Sequence, residues 1–171
     1  LNRATTISEA IRNTLVYSVL GSMREPFDPM EKAIHKALLE IDSIFYTELQ
    51  KYQEIREYPL TDELRAMAKV WKIPGNSNYT IALKGSPEAV IKLCKINAEE
   101  IKAIMNQVAD LAEEGLRVLA IASCEFSQDD LPEKLTDLSF HYSGLIGLAD
   151  PIRETVPEAV KICYKAGIRI I

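Results

Sequence analysis

Between two runs rich in β-branched and aromatic residues, Met67 to Ile73 and Tyr79 to Leu83, the chain reads Pro74-Gly75-Asn76-Ser77-Asn78. Glycine and asparagine tolerate the backbone angles of a tight turn, so this segment predicts a hairpin. A hairpin commits its strands to antiparallel pairing, which rules out an all-parallel sheet for the body of the chain. Ile55 to Leu60 reads as a strand ahead of the hairpin, and Val118 to Ala122 as a buried strand after it.

Helix signals separate these strands. Thr6 and Glu9 have capping-box spacing, and Ile7, Ile11, Leu15, Val19 and Leu20 supply an apolar face that Gly21 ends. In Asp28-Pro29-Met30-Glu31 an aspartate cap precedes a proline at the first helical position. Met30, Ala33, Ile34, Ala37, Leu38 and Ile41 then recur at steps of three and four. Ser86 caps a short helix from Pro87 to about Leu93. Asn97 and Glu100 form a second capping box, and Gly115 ends the helix that carries Ile101, Ile104, Met105, Val108, Leu111 and Ala112. Ser127 to Thr136 is polar, acidic and holds Pro132, so it reads as a surface loop.

The last third reads differently. His141 to Leu148 is a strand, Glu154 to Ala166 a helix closed by Gly167, and Ile168 to Ile171 a second strand. Strand, crossover helix and strand at this length predict a βαβ unit with parallel strands. The expected fold class is α+β: an antiparallel sheet with flanking helices, followed by a partial βαβ unit of a doubly wound α/β domain. The boundary falls near Ala149-Asp150-Pro151, giving one domain over 1–149 and the start of another over 150–171. In doubly wound sheets the chemistry sits just beyond the carboxyl ends of the strands. This chain stops inside such a strand, at Ile170-Ile171, and reads as a piece cut from a larger protein.

Composition limits the partners. Apolar residues make up 47% of the 171, enough for a real core, and the net charge of −5 argues against a surface that coats nucleic acid or anionic lipid. Cys94, Cys124 and Cys163 stand far apart in apolar surroundings, as free thiols of a reducing compartment do. His35 and His141 have no partner at metal-ligand spacing, so no metal site is predicted. No apolar run reaches the roughly 18 residues of a membrane span. Phosphate-loop, HExxH, paired CxxC and GxSxG patterns are absent.

Three short motifs remain. In Lys84-Gly85-Ser86-Pro87-Glu88 a lysine at a strand end precedes a glycine that permits close approach and a capped helix start. Helix amides and an ammonium together favour an anion, whereas the bland reading is a turn with a solvent-facing lysine. In Gly115-Leu116-Arg117-Val118-Leu119-Ala120 an arginine stands at the mouth of a strand, where it could fork onto a phosphate or simply be solvated. Asp150-Pro151-Ile152-Arg153-Glu154 alone is a turn and a helix start.

In that order, and followed by Ala166-Gly167-Ile168-Arg169, these motifs resemble the P-type cation-transporting ATPase family. Pro26-Phe27-Asp28-Pro29-Met30-Glu31-Lys32-Ala33 is similar to the family's helix bordering the adenine site. The resemblance implies a nucleotide-binding domain, then the hinge and first part of the returning phosphorylation domain. It implies that ATP, with Mg²⁺ held mostly by ligands outside this chain, is presented to an aspartate in Asp-Lys-Thr-Gly-Thr. The resemblance implies an ATP-hydrolysing cation pump as the parent; that motif and the later Thr-Gly-Asp are absent here, so no catalytic residue and no activity are expected of this chain alone.

By position, the resemblance puts Glu31 at the adenine amino group, Lys84 and Gly85 in the pocket, and Arg117 beside the phosphates. Asp150 and Arg153 match the hinge. Leu60 stands where the family has its adenine-stacking phenylalanine, Asp62 where an arginine is usual, and Arg65 where a lysine is usual. Tyr58, two residues before Leu60, would share its face of a strand and supply an alternative ring. The implied partners are ATP and the phosphorylation, actuator and transmembrane domains of the same pump, with no nucleic acid and no direct membrane contact. The implied location is the cytoplasmic side of a membrane. Two alternatives are a binding module of the same fold that has lost ATP, and a soluble phosphohydrolase of the same aspartate-using superfamily.

Overall fold

The predicted turn closes as its residues allow. In a computed structural model of the chain, which describes residues 8–127, 130–149 and 155–169, Gly75 holds a φ of 82°. Asn76 donates its amide to the Ile73 carbonyl. The hairpin strands β2 (Ala66–Lys72) and β3 (Tyr79–Gly85) pair from Lys72 opposite Tyr79 to Ala66 opposite Gly85. β1 (Gln53–Tyr58) joins β2, while β4 (Arg117–Phe126) and β5 (His141–Leu148) extend the other side. The result is a five-stranded sheet in sequence order with every neighbouring pair antiparallel.

Alternation of side chains sorts the core into two layers. Ala66, Ala68 and Val70 of β2, Ile81 and Leu83 of β3, and Ala120 and Ala122 of β4 face α4 (Pro87–Leu93), together with Leu138 and Phe140. The helix α5 (Ala98–Glu113), opened by the predicted Asn97–Glu100 box, brings Leu111 near Gly147 on this side. Trp71, Ala82 and Leu148 point to the opposite face, under α1 (Glu9–Leu20), α2 (Pro29–Ile41) and α3 (Ser43–Leu49).

The seam that seats α1 differs from its expected apolar face. Ile11 is exposed, and Thr6 and Ile7 lie outside the described residues. Val19 and Leu20 are buried as expected, and so are Thr14 and Ser18 of α1 and Ser22 just beyond it, whose hydroxyls bond the carbonyls of Ala10, Thr14 and Ser18 four residues back. Such bonds satisfy a hydroxyl without a foreign partner, so the helix can bury it. Small side chains then let α1 lie close on the sheet. Thr14 also donates to the Ser143 carbonyl at 2.7 Å, and the Trp71 indole donates to the Leu20 carbonyl at 2.8 Å.

Three further expectations are corrected. His141–Leu148 does not open a βαβ unit, because β5 pairs antiparallel with β4 from Arg117 opposite Leu148 to Ser123 opposite His141. The helix after it, α6 (Val156–Lys165), buries none of its residues. Ile168 and Arg169 form no strand, and 170–171 lie outside the described residues. The segment expected as a solvated loop after Ser127 is partly core: Leu135 is buried, and the Pro132 carbonyl accepts from the Tyr58 hydroxyl at 2.6 Å. α3 carries no strong sequence signal and is capped by Asp42, which takes the Phe45 amide at 2.9 Å.

Gly85 shows why the strand ends so near its neighbour. A Cβ there would lie 2.5 Å from the Arg65 carbonyl oxygen and 2.6 Å from the Ala66 Cα. The Ser86 amide donates to the same Arg65 carbonyl at 2.8 Å. The close approach is therefore to the chain's own backbone. Gly85→Ala is expected to force β2 and β3 apart and destabilise by about 1–3 kcal/mol, read as a lower urea midpoint; an unchanged midpoint would contradict this packing.

Candidate functional site

On the α1–α2 face the sheet is left uncovered toward one end, and a cleft of about 630 Å³ opens there. Ligand pockets commonly enclose about 300–1,000 Å³. Its floor is apolar, with Ile34, Met67, Val118 and Leu119, and its walls come from two loops. Met23, Phe27 and Met30 enter from the α1–α2 connection and the start of α2, while Leu60, Thr61 and Asp62 enter from the β1–β2 connection.

Lys84 anchors the deep end. The residue is only 6% exposed, so its ammonium needs partners to offset lost hydration. It donates to Glu31 Oε1 at 2.6 Å and to Ser22 Oγ at 2.7 Å. Gly21 makes this possible: a Cβ there would stand 3.2 Å from Lys84 Cβ, so the end of α1 rests directly on β3. Burial lowers the Lys84 pKa from its ordinary value, with Glu31 opposing the shift. The bland alternative of a solvent-facing lysine is excluded. A lysine at a strand end becomes buried when two helices lie over that end.

Glu31 is placed by the Asp28 cap, whose carboxylate accepts from the Met30 and Glu31 amides at 2.9 and 3.2 Å. Its side chain does not complete a capping box. Its second oxygen accepts the Met23 amide at 3.1 Å, pinning the loop that precedes α2.

The structure brings Glu31, Leu60, Arg65, Lys84 and Gly85 to one cleft. Arg117 stands at its rim, exposed, with Nη1 3.2 Å from the sulfur of the lining residue Met30. Asp150 and Arg153 lie outside the described residues. Tyr58 is corrected. It pairs with Ala68, so its ring joins the core on the α4 side, 5% exposed, under the Arg56 guanidinium. The strand ends at Tyr58, and alternation does not carry on to Leu60. The amide-rich start of α4 does not join Lys84 either, because α4 packs on the opposite face and Ser86 caps its Ala89 amide.

Sequence reasoning missed Ser22, Phe27, Glu57 and Met67. Ser22 carries a faint signal, as the last of Thr14, Ser18 and Ser22 at steps of four. Glu57 faces the cleft because it sits opposite Lys69, and an irregularity between Glu54 and Arg56 turns Glu54 to the same side. Both carboxylates bind the buried Lys69 ammonium, each at 3.0 Å. Burial alone would lower the Lys69 pKa, but these two partners outweigh it and the net shift is upward.

The charges of the cleft do not balance. Asp28, Glu31, Glu57 and Asp62 are four carboxylates against two cations, Arg65 and Lys84. Since Lys84 is already paired, the deep end suits an apolar, hydrogen-bond-donating group better than an anion. Arg65 and Arg117, both exposed, are the cations open to an anion near the mouth.

Because Glu31 and Lys84 have side chains only 14% and 7% exposed, removing one strands the other. Lys84→Ala is expected to cost about 3–5 kcal/mol of stability, as for other broken buried pairs. Lys84→Met combined with Glu31→Gln should recover most of it. Urea denaturation checks both, and a loss under about 1 kcal/mol for Lys84→Ala would reduce the pair to a surface ion pair.

Comparison with known proteins follows the same lines. The family described as "P-type ATPase, cytoplasmic domain N" matches residues 25–155. The sodium/potassium exporting P-type ATPase cta3 of Schizosaccharomyces pombe is 32% identical over 126 residues, 68% of this chain and 12% of that protein. Calcium-transporting ATPase 2, plasma membrane-type, of Arabidopsis thaliana is 27% identical over 154 residues, covering 83% of this chain and 15% of its own length. Sodium/potassium exporting P-type ATPase 1 of Saccharomyces cerevisiae is 28% identical over 142 residues, or 70% of this chain and 13% of the relative. The chain thus spans well under a fifth of the length of these relatives. No helix among the described residues is long and apolar enough to cross a membrane. With a five-stranded antiparallel sheet, helices on both faces and this match over residues 25–155, the chain belongs to the P-type ATPase family and carries its cytoplasmic domain N.

Proposed function

We propose that the cleft between the α1–α2 and β1–β2 connections is an ATP site, and that domain N presents Mg-ATP to an aspartate outside these residues. The observation that carries the reading is an apolar floor and a ring of polar groups in one cleft of about 630 Å³, in a chain of this family. Met67 and Leu119 offer a purine an apolar bed, and Leu60 closes over it. The wall carboxylates Glu31 and Glu57 accept from an exocyclic amino group. Lys84 orients Glu31, and Gly85 keeps the floor tight. The triphosphate runs outward, past the paired deep end, to Arg65 and Arg117. When bound, Mg²⁺ neutralises phosphate oxygens; the carboxylates at this cleft favour a phosphate chain that arrives already charge-compensated.

In this reading 1–149 is the nucleotide-binding domain and 150–171 begins the return to the phosphorylation domain, with Asp150 and Arg153 as the hinge. The hinge swings bound ATP onto the aspartate, converting a bimolecular encounter into a positioned one. The parent is an ATP-driven pump for a metal cation. Its phosphorylation, actuator and transmembrane domains are the partners, and this domain works on the cytoplasmic side of the membrane. Alone, the chain binds nucleotide without turning it over.

The wall carboxylates and the paired Lys84 set the affinity low. Titration of the chain with ATP, followed by amide NMR shifts, is expected to give a Kd of about 0.1 to several mM, or roughly −5.5 to −4 kcal/mol. Shifts should concentrate at Met23 to Glu31, Leu60 to Met67 and Val118. No perturbation at several mM ATP would support a domain that has lost its nucleotide.

A further inference from the structure

We propose that Phe27 is the ring on which the base of the bound nucleotide stacks, in place of an aromatic at Leu60. This rests on the ATP reading of the cleft and gives a role within it to a residue to which the sequence motif assigned none. Phe27 is the only aromatic side chain among the residues lining the cleft. It is 75% exposed, and Leu60, which lines the same cleft from the β1–β2 connection, is 63% exposed. Of the three most exposed large apolar side chains among the described residues, two therefore line this one cleft. A single exposed hydrophobe needs no explanation. Two at the mouth of one apolar hollow leave a slot whose sides both lack a partner.

The loop that carries Phe27 is fixed at both ends. Met23 gives its amide to Glu31. Arg24 lies over the Trp71 ring, 5.3 Å from its centroid, and bonds the Tyr52 carbonyl. Asp28, next in the chain, caps α2 through two amides. Phe27 is thus held on a tethered backbone, so stacking orders only its side-chain torsions and costs little entropy. A purine between an aromatic face and a leucine gains dispersion on both sides, and base–aromatic stacking tolerates any base because each has a π-face. The wall carboxylates then discriminate, by accepting from an amino group.

The test compares the 171-residue chain with Phe27→Ala and Phe27→Tyr in ATP titrations followed by amide NMR shifts. Base–aromatic stacking predicts that Phe27→Ala weakens ATP about ten-fold or more, while Phe27→Tyr stays within about two-fold. Melting temperatures should match in all three, since the ring contributes little to the core. Wild-type affinity in Phe27→Ala, or equal losses in both variants, would overturn the stacking role while leaving the cleft an ATP site. If the unaltered chain binds no ATP, the nucleotide reading itself fails, and the two failures are told apart by that control.

Discussion

A lysine ammonium buried under two helices must be answered by partners, and the arrangement around Lys84 follows from that. Three elements supply the answer: Lys84 comes from β3, Ser22 from just beyond α1, and Glu31 from the first turn of α2. Glu31 then spends its second oxygen on the Met23 amide, so one charge fixes both the helix and the loop before it. Lys69, on the same face of the neighbouring strand, is a control supplied by the molecule. It has two carboxylates and a raised pKa, while Lys84 has one and a lowered pKa. Burial wins at Lys84, where one bonded acid and the more distant Asp28 oppose it, and loses at Lys69, where two bonded acids do.

This pairing decides how the cleft can be used. A lysine free to meet phosphate would draw the triphosphate inward. A lysine already bonded to Glu31 presents a nearly neutral deep end, bordered by Asp28, Glu57 and Asp62. In the proposed reading the base therefore goes in and the phosphates stay toward Arg65 and Arg117, an orientation that would let one domain hold one end of ATP and offer the other to a second.

Much of the frame was legible because it rests on local chemistry. The Asp28-Pro29 helix start, the Asn97–Glu100 capping box and the turn at Pro74–Asn78 act within a few residues of one another, and all formed. What failed depends on distant partners. β5 was expected to open a parallel unit, yet its partner is β4, a choice no local period encodes. Tyr58 and Leu60 have the spacing of one strand face, but the strand ends between them. Lys84 was expected in the pocket, but its burial and its pairing had no local signal, since nothing near it in sequence announces that α1 and α2 cover it. Phe27 had no role assigned from the sequence beyond its place in the motif before α2, and only the fold shows it standing exposed at an opening.

The account places a purine at the mouth of the cleft, beside Phe27 and Leu60 and above Met67 and Leu119. Intermolecular NOEs from the adenine protons of bound ATP, collected on the chain with methyl-labelled Leu, Val and Met, test this most directly. The account predicts cross-peaks to the Leu60, Met67 and Leu119 methyls and none to Val90 or Leu138 on the opposite face. Adenine cross-peaks confined to that opposite face, or to α6, would contradict it.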